Sequence, residues 1–282
     1  MKYPQTIPNF SVLLSLYIKE RPEYLRQSLD SVFNQTLQPT EVILLLDGPI
    51  TDELQTVVSE FENRYPVLKI IPLKENQGLG KALNEGLKHC SHDLIVRMDT
   101  DDIAKPDRFE VEVKFMNEHP DIAACSSWID EFIGEKDNVV AIKKLPESHE
   151  EIYEFGKTRC PIAHPAAIFR KKAALKVGAY GPFPEDYYLW GKMLKNGEKF
   201  HNIQQSLVWF RSSPNVYKRR GGWKYFKAIM GVSKELHKIG YISIGDYLKV
   251  LAMRSVLCLT PNKVRGFLYN RVVRKKDNKI GK

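Results

Sequence analysis

The 282-residue chain is long enough for one large α/β domain with an appendage or for two modest domains, and its 43% hydrophobic and 27% charged residues are ordinary for a soluble globular protein. No apolar run approaches the roughly 20 residues that span a bilayer, the first residues lack the apolar core of a secretion signal, and four scattered cysteines without a CxxC pair argue against a zinc cluster or a disulfide framework. The formal net charge of +9 is unevenly distributed, because residues 215–282 hold 17 Lys or Arg against 3 Asp or Glu while residues 1–214 carry −5. We therefore expect the basic tail to contact an anionic surface. The missing secretion signal predicts a cytosolic protein.

Strands and helices are predicted to alternate through the first hundred residues. Four apolar runs predict buried strands at residues 10–16, 41–46, 68–73 and 93–98. Helix-spaced apolar residues fill the intervals, beginning with Leu25, Leu29 and Val32 in the first of them. Four such alternations with short connections indicate a parallel, doubly wound sheet, in which ligands bind beyond the carboxyl ends of the strands.

The second half of the main domain is predicted to be mixed. Helices are expected at about 109–116 and 184–196, and β-like segments at about 122–132, 139–145 and 200–210. An irregular passage precedes His164. Glu185 and Asp186 open the second of these helices, where acidic residues stabilise the helix dipole, so capping is the simplest explanation for both.

The basic tail is predicted to be helical. Across residues 222–239 the apolar side chains fall on one side of a helical wheel and four lysines fall on the other, and a second helical stretch covers residues 244–259. An amphipathic basic helix can lie on anionic lipid, which predicts a protein bound peripherally to the inner face of the cell membrane. The alternative is that these helices pack on the main domain and leave their lysines in water.

Three carboxylates crowd the end of the fourth predicted strand. Asp99, Asp101 and Asp102 lie within four residues, and in an extended chain Asp99 and Asp101 face one side while Thr100 points away. Hard cations such as Mg²⁺ and Mn²⁺ prefer carboxylate oxygens and often carry a substrate phosphate with them. We therefore predict a divalent cation held by Asp99 and Asp101, with a solvated acidic turn as the alternative.

Several motifs, taken together in order and spacing, resemble family 2 glycosyltransferases, most closely the bacterial enzymes that assemble capsular, exopolysaccharide or O-antigen repeat units. They are Ser15-Leu-Tyr17, Asp47-Gly48, the Asn76 to Gly86 segment and Arg97-Met-Asp99-Thr-Asp101-Asp102. The resemblance covers about residues 9–212. It implies a GT-A fold, a Rossmann-like mixed sheet with a nucleotide-sugar-binding half over about residues 1–105 and an acceptor-binding half over residues 106–214, followed by the helical tail at 215–282.

The resemblance also implies roles for the donor side. Asp47 would hold the uracil or ribose of a UDP-sugar, although a turn with Gly48 is the structural alternative. Asp99 would meet the ribose or a metal-bound water, and Asp101 would bind the metal directly. Contacts to the nucleotide or its diphosphate are further expected from Tyr17, Glu20, Lys81 and Arg211.

On the acceptor side, the resemblance makes Asp186 the general base that deprotonates the acceptor hydroxyl. Glu185, Trp190 and His164 are its expected neighbours in the acceptor pocket, with a purely structural hydrogen bond as the alternative for His164.

The implied function is metal-dependent, inverting transfer of a hexose or N-acetylhexosamine from a UDP-sugar to a lipid-linked saccharide. Two other classes are weighed against it. A non-catalytic membrane- or nucleic-acid-binding protein could use the same basic tail, although the tail has no nucleic-acid recognition motif and we expect no nucleic-acid partner. A sugar nucleotidyltransferase would need a glycine-rich basic loop near the first strand, where residues 9–17 are apolar.

Overall fold

The computed structural model describes residues 8–212 and 221–260. Four parallel strands form its first half in the order β3-β2-β1-β4. The strands are β1 (Phe10–Leu16), β2 (Glu41–Leu46), β3 (Leu68–Pro72) and β4 (Leu94–Arg97), and the helices between them are α1 (Pro22–Phe33), α2 (Asp52–Arg64) and α3 (Leu79–His89). The predicted doubly wound half is confirmed, because each crossover between parallel strands carries one helix.

The sheet continues without a break into the second half, where it becomes mixed. The added strands are β5 (Ile103–Ala104), β6 (Ile122–Phe132), β7 (Val139–Lys143), β8 (Ile168–Arg170) and β9 (Lys199–Arg211). β8 is antiparallel to β4 and β6, while β9 runs parallel to β6. The helices here are α4 (Arg108–Glu118), α5 (His149–Gly156), α6 (Lys171–Lys176) and α7 (Glu185–Lys195). One sheet therefore joins the two predicted halves.

Alternation along the parallel strands separates two cores. Leu13 and Leu45 enter the core that contains α3 and α7, whereas Leu14 and Leu44 enter the core that contains α1, α2 and α4. Helix α3 lies very close to the sheet at Gly86, where a Cβ atom would stand 2.4 Å from Leu13 Cδ1. The glycine therefore lets α3 lie close to β1 and β2.

Glu41 links the amino ends of the four parallel strands. Its carboxylate is 4% exposed and accepts hydrogen bonds from Ser11 Oγ at 2.6 Å, from Lys69 Nζ at 2.6 Å and from Ser91 N at 2.7 Å. Burial by itself would raise the pKa of Glu41, but these hydrogen bonds outweigh burial and lower the pKa to about 2.

The C-terminal helices α8 (Gly222–Lys238) and α9 (Ile244–Leu259) pack on the main domain. The apolar face of α8 is buried against α7 and α9 through Phe226, Ile229, Met230, Val232 and Leu236. The prediction that this face lies on a membrane is therefore wrong, because the protein itself covers it. Its four lysines are exposed, as the packing alternative expects. Residues 215–220 and 261–282 of the predicted tail lie outside the described residues.

None of the helices within residues 8–212 and 221–260 has both the length and the apolar character needed to cross a bilayer.

Candidate active site

The three predicted carboxylates converge just beyond the end of β4. Ligand oxygens of Asp99, Asp101 and Asp102 all lie within 4.8 Å of one another. Sequence reasoning placed Asp99 and Asp101 at a metal, and the structure adds Asp102, which is fully buried. Its Oδ1 accepts a hydrogen bond from Arg211 N at 2.7 Å, so the far end of β9 fixes the loop.

Negative charge in this loop is concentrated and poorly solvated. Burial, followed by the charges of Asp99 and Glu20, raises the pKa of Asp101 to about 7. Burial and the charges of Asp101 and Asp99 raise the pKa of Asp102 well above its usual range. Asp102 Oδ2 has no hydrogen-bond partner among the described residues. Three crowded carboxyl groups with an unsatisfied buried oxygen are an all-oxygen donor set that fits a hard divalent cation such as Mg²⁺ or Mn²⁺, whose charge would offset their repulsion.

Arg97, which sequence reasoning missed, supplies the positive charge beneath the loop. It is 1% exposed and forms an ion pair with Asp99. Two of its guanidinium nitrogens, Nε and Nη1, find no partner in the described part of the chain. The sequence held a signal, because a charge at the end of the apolar run Leu94-Ile-Val must find a counter-charge once the strand is buried.

Glu20 and Arg211 support the loop from behind. Thr100 lies in the turn of the loop, and its Oγ1 donates to Glu20 Oε2 at 3.1 Å. Arg211 is 9% exposed, donates from Nε to Asp101 O at 2.8 Å, and lies with its Cζ 3.9 Å from the centroid of the Tyr24 ring. The guanidinium of Arg211 therefore positions the backbone of the acidic loop.

Asp47 holds the loop that leads into α3. Its carboxylate is 4% exposed and accepts hydrogen bonds from Gln77 N at 2.7 Å, Gly78 N at 3.0 Å and Asn76 Nδ2 at 3.0 Å. The first turn of α3 then carries Lys81, which is exposed. A turn-forming role for Asp47 is thus realised, although through the residues before α3 rather than through Gly48.

Tyr17 follows β1 directly and is 42% exposed. The turn after it is closed by Glu20 N donating to Tyr17 O at 3.0 Å, which brings Glu20 under the acidic loop. Tyr17 and Glu20 thus stand at the carboxyl end of β1, next to β4 in the sheet, as the predicted donor contacts require.

The two carboxylates at the start of α7 lie in different surroundings. Glu185 packs on the first turn of α3, where a Cβ at Gly80 would stand 3.1 Å from Glu185 Cβ, and burial raises the pKa of Glu185. Asp186 Oδ1 accepts from Tyr187 N at 2.7 Å, and its Oδ2 accepts from Cys160 Sγ at 3.3 Å. Asp186 also lines a cavity of about 250 Å³, so one of its oxygens serves a helix N–H while the side chain borders open space.

His164 and Trp190 stand behind Asp186. His164 is 8% exposed, with Nε2 3.1 Å from Tyr180 Oη, and burial together with Arg97 lowers the pKa of His164 well below its usual value. Trp190 is 0% exposed and packs edge-on against Phe169. The predicted contact of Trp190 with the acceptor stays a prediction, and the ring itself belongs to the core that contains α3 and α7.

The architecture is that of the GT-A class of folds. It combines a parallel first half, a mixed second half in the same sheet, an acidic loop after the fourth strand and a separate carboxylate at a later helix. The Glycosyl transferase family 2 model matches residues 11–177. The chain therefore belongs to glycosyl transferase family 2 and is a glycosyltransferase, which confirms the predicted family and enzyme class.

Several relatives match nearly the whole chain. The UDP-Gal:alpha-D-GlcNAc-diphosphoundecaprenol beta-1,3-galactosyltransferase of Escherichia coli is 41% identical over 95% of this chain and 98% of that protein. An amylovoran biosynthesis glycosyltransferase of Erwinia amylovora is 36% identical over 93% of this chain and 98% of that protein. Among solved structures, S. aureus TarS 1-349 in complex with UDP has a TM-score of 0.64 and 18% identity, over 95% of this chain and 77% of that chain, which supports the fold.

Proposed function

We propose that this glycosyltransferase is metal-dependent and inverting, and that it moves a hexose or N-acetylhexosamine from a UDP-sugar to a saccharide carried on a polyprenyl diphosphate during cell-surface polysaccharide synthesis. The observation that carries the proposal is the pairing of a convergent carboxylate cluster, Asp99, Asp101 and Asp102, with a separate carboxylate, Asp186, that borders a cavity. The name of the E. coli relative, with its UDP-galactose donor and diphosphoundecaprenol acceptor, supports both substrate classes.

On the donor side, Asp101 would bind the metal, with Asp99 and Asp102 as the neighbouring oxygens. A bound divalent ion acts as a Lewis acid that neutralises charge on the departing UDP. Arg97 holds the Asp99 carboxylate in an ion pair, and Arg211 holds the backbone at Asp101. Lys81 lies on the first turn of α3 with its side chain exposed, where a helix N-terminus favours phosphate.

The nucleotide would extend from this cluster towards Tyr17 and Asp47. Tyr17 offers an exposed ring at the carboxyl end of β1. Asp47 is in the hydrogen-bonded turn after β2, the neighbour of β1, so a uracil or ribose contact by Asp47 would involve an oxygen that also accepts from Gln77 or Gly78.

On the acceptor side, Asp186 acts as general base. The acceptor hydroxyl oxygen bonds to the anomeric carbon, the bond from that carbon to the diphosphate oxygen breaks, and Asp186 takes the hydroxyl proton. Attack on the face opposite the leaving diphosphate inverts the anomeric centre. Because its pKa is lowered, His164 is neutral at physiological pH and can form hydrogen bonds in the cavity that Asp186 also lines.

A peripheral position on the cytoplasmic leaflet would bring the enzyme to a lipid-linked acceptor. The surface that supports it is an exposed apolar stripe on α9, with Ile244 60%, Leu248 54% and Val256 55% exposed. The neighbouring helix α8 contributes exposed Lys227 and Lys234, which suit anionic head groups. Flotation with vesicles containing anionic lipid should show binding that Leu248→Glu weakens; equal binding by both proteins would refute this surface.

The donor site is tested by calorimetric titration with UDP- and GDP-sugars, with and without Mn²⁺. We expect a UDP-sugar to bind in the presence of Mn²⁺ and Asp101→Ala to abolish the metal-dependent part of the affinity. Glu118→Ala, which removes an exposed carboxylate at the end of α4, is the matched control. Metal-independent binding that Asp101→Ala leaves unchanged would refute the assigned metal site.

A further inference from the structure

A cavity separates the mixed half of the sheet from the C-terminal helices. Its floor is the β6–β7 ladder, where Ile129 pairs with Lys143 and Glu131 with Ala141, so these four side chains share one face. The start of α7 brings Asp186 to one wall. Helix α9 closes another wall with Met253 and other side chains. The cavity has a volume of about 250 Å³.

The lining combines cations with apolar surface. Lys143, Arg159 and Arg254 are its basic members, set against the acidic Glu131 and Asp186. Neither Lys143 nor Arg254 forms an ion pair with any carboxylate of the described residues. Arg254 Nε is buried without a hydrogen-bond partner there, which costs free energy until an acceptor reaches it.

Apolar side chains make up much of the rest of the lining. Phe155 and Phe210 come from the main domain, whereas Ile229, Met253 and Leu257 come from α8 and α9. A cavity built for a sugar alone would need hydrogen-bonding groups in their place. A ligand that joins an anion to a hydrocarbon matches both parts of this lining.

We propose that this cavity binds the diphosphate and the first isoprenoid unit of the acceptor, with the acceptor sugar next to Asp186. The proposal rests on the proposed function, which supplies the diphosphate-linked lipid. Lys143, Arg159 and Arg254 contact the diphosphate, and Met253 and Leu257 contact the isoprenoid.

Much of the cavity lining lies beyond the part of the chain that the family model matches. The region matched by the family model ends at residue 177, whereas Asp186, Arg254 and the α8 and α9 side chains of the cavity follow it. Helix α9 presents Met253 and Arg254 to the cavity and Leu248 to the exterior. A lipid chain leaving the cavity past α9 would therefore reach the same surface as the exposed apolar stripe.

The test is calorimetric titration of the full chain with geranyl diphosphate, with and without saturating UDP and Mn²⁺. We expect binding that UDP and Mn²⁺ leave unchanged, with Lys143→Ala and Arg254→Ala each raising the Kd at least tenfold. Lys114→Ala removes an exposed lysine of α4, away from the cavity lining, and should stay within twofold. Arg254→Lys keeps the charge and should lose less affinity than Arg254→Ala. Geraniol and inorganic diphosphate should each bind at least tenfold more weakly than the joined ligand.

Three results would overturn the proposal. Displacement of geranyl diphosphate by UDP and Mn²⁺ would place it in the donor site. Equal affinity for inorganic diphosphate would reduce the cavity to a simple anion site, and unchanged affinity in thermally stable Lys143→Ala and Arg254→Ala proteins would exclude these contacts. Failure of the proposed function is separate, because it would appear as absent UDP-sugar binding in the wild-type protein while the response to geranyl diphosphate is scored independently.

Discussion

Replacing Asp186 by Asn tests the assignment of the base with little disturbance to the fold. The amide keeps an oxygen in the place of Oδ1, which accepts from Tyr187 N at 2.7 Å. The Oδ2 position becomes an NH₂ group beside Cys160 Sγ, where the bond replaced is a weak 3.3 Å thiol contact. We therefore expect the free energy of unfolding to change by less than about 1 kcal/mol.

Catalysis should respond far more strongly than stability. Removing a general base costs about 10²- to 10⁴-fold in kcat, or about 3 to 5 kcal/mol of transition-state free energy. The assay is initial-rate sugar transfer to a lipid-diphosphate-linked acceptor, together with the affinity for UDP and Mn²⁺, which should stay within twofold.

Glu185→Gln is the matched control, because Glu185 is the adjacent carboxylate but packs on the first turn of α3 rather than lining the cavity. Its kcat should fall by less than tenfold. The assignment fails if Asp186→Asn retains more than a tenth of the wild-type kcat, or if Glu185→Gln is the more damaging of the two.

Three further predictions concern the framework of the site. Arg97→Met leaves Asp99 without its buried counter-charge and should lower the free energy of unfolding by roughly 3 kcal/mol in urea titrations, with Mn²⁺ restoring part of the loss; an unchanged midpoint would contradict the ion-pair argument. Glu41→Gln should lower the free energy of unfolding by roughly 2 kcal/mol at pH 7. Because the pKa of Glu41 in the folded protein, about 2, is below the ordinary 4.5, the stability due to Glu41 is complete above pH 4.5 and is lost towards pH 2. The variant should therefore show a flatter dependence of stability on pH in that window. Gly86→Ala places a Cβ 2.4 Å from Leu13 Cδ1. Overpacking should lower the free energy of unfolding by about 1 to 3 kcal/mol, and the melting temperature with it, despite the better helix propensity of alanine. A higher melting temperature would show that α3 can move away from the sheet.

The positions of the elements in the parallel half could be read from the chain because local patterns decide them. After Glu41 the run of residues 42–46 is apolar throughout, and the strand Glu41–Leu46 is buried along its whole length. Thr51, a residue type favoured at helix N-caps, accepts from Leu54 N and caps α2. The acidic cluster was predictable for the same reason, since Asp99, Asp101 and Asp102 belong to one short loop.

Contacts between distant segments could not be read in this way. Arg211 reaches the acidic loop from 109 residues beyond Asp102, through a strand register that no local pattern states. The surroundings of Glu185 and Asp186 could not be predicted either. Helix geometry separates adjacent side chains by about 100°, but it does not say what each of them faces.

Residue spacing along the chain suffices to predict the alternation of strands and helices, the family, the acidic loop and the two faces of α8. Spacing does not say which surface covers the apolar face of α8, nor that Lys143 and Arg254 border one cavity with Asp186. The physical reason is that periodicity defines a face, whereas burial of that face depends on which other surface is available to exclude water from it.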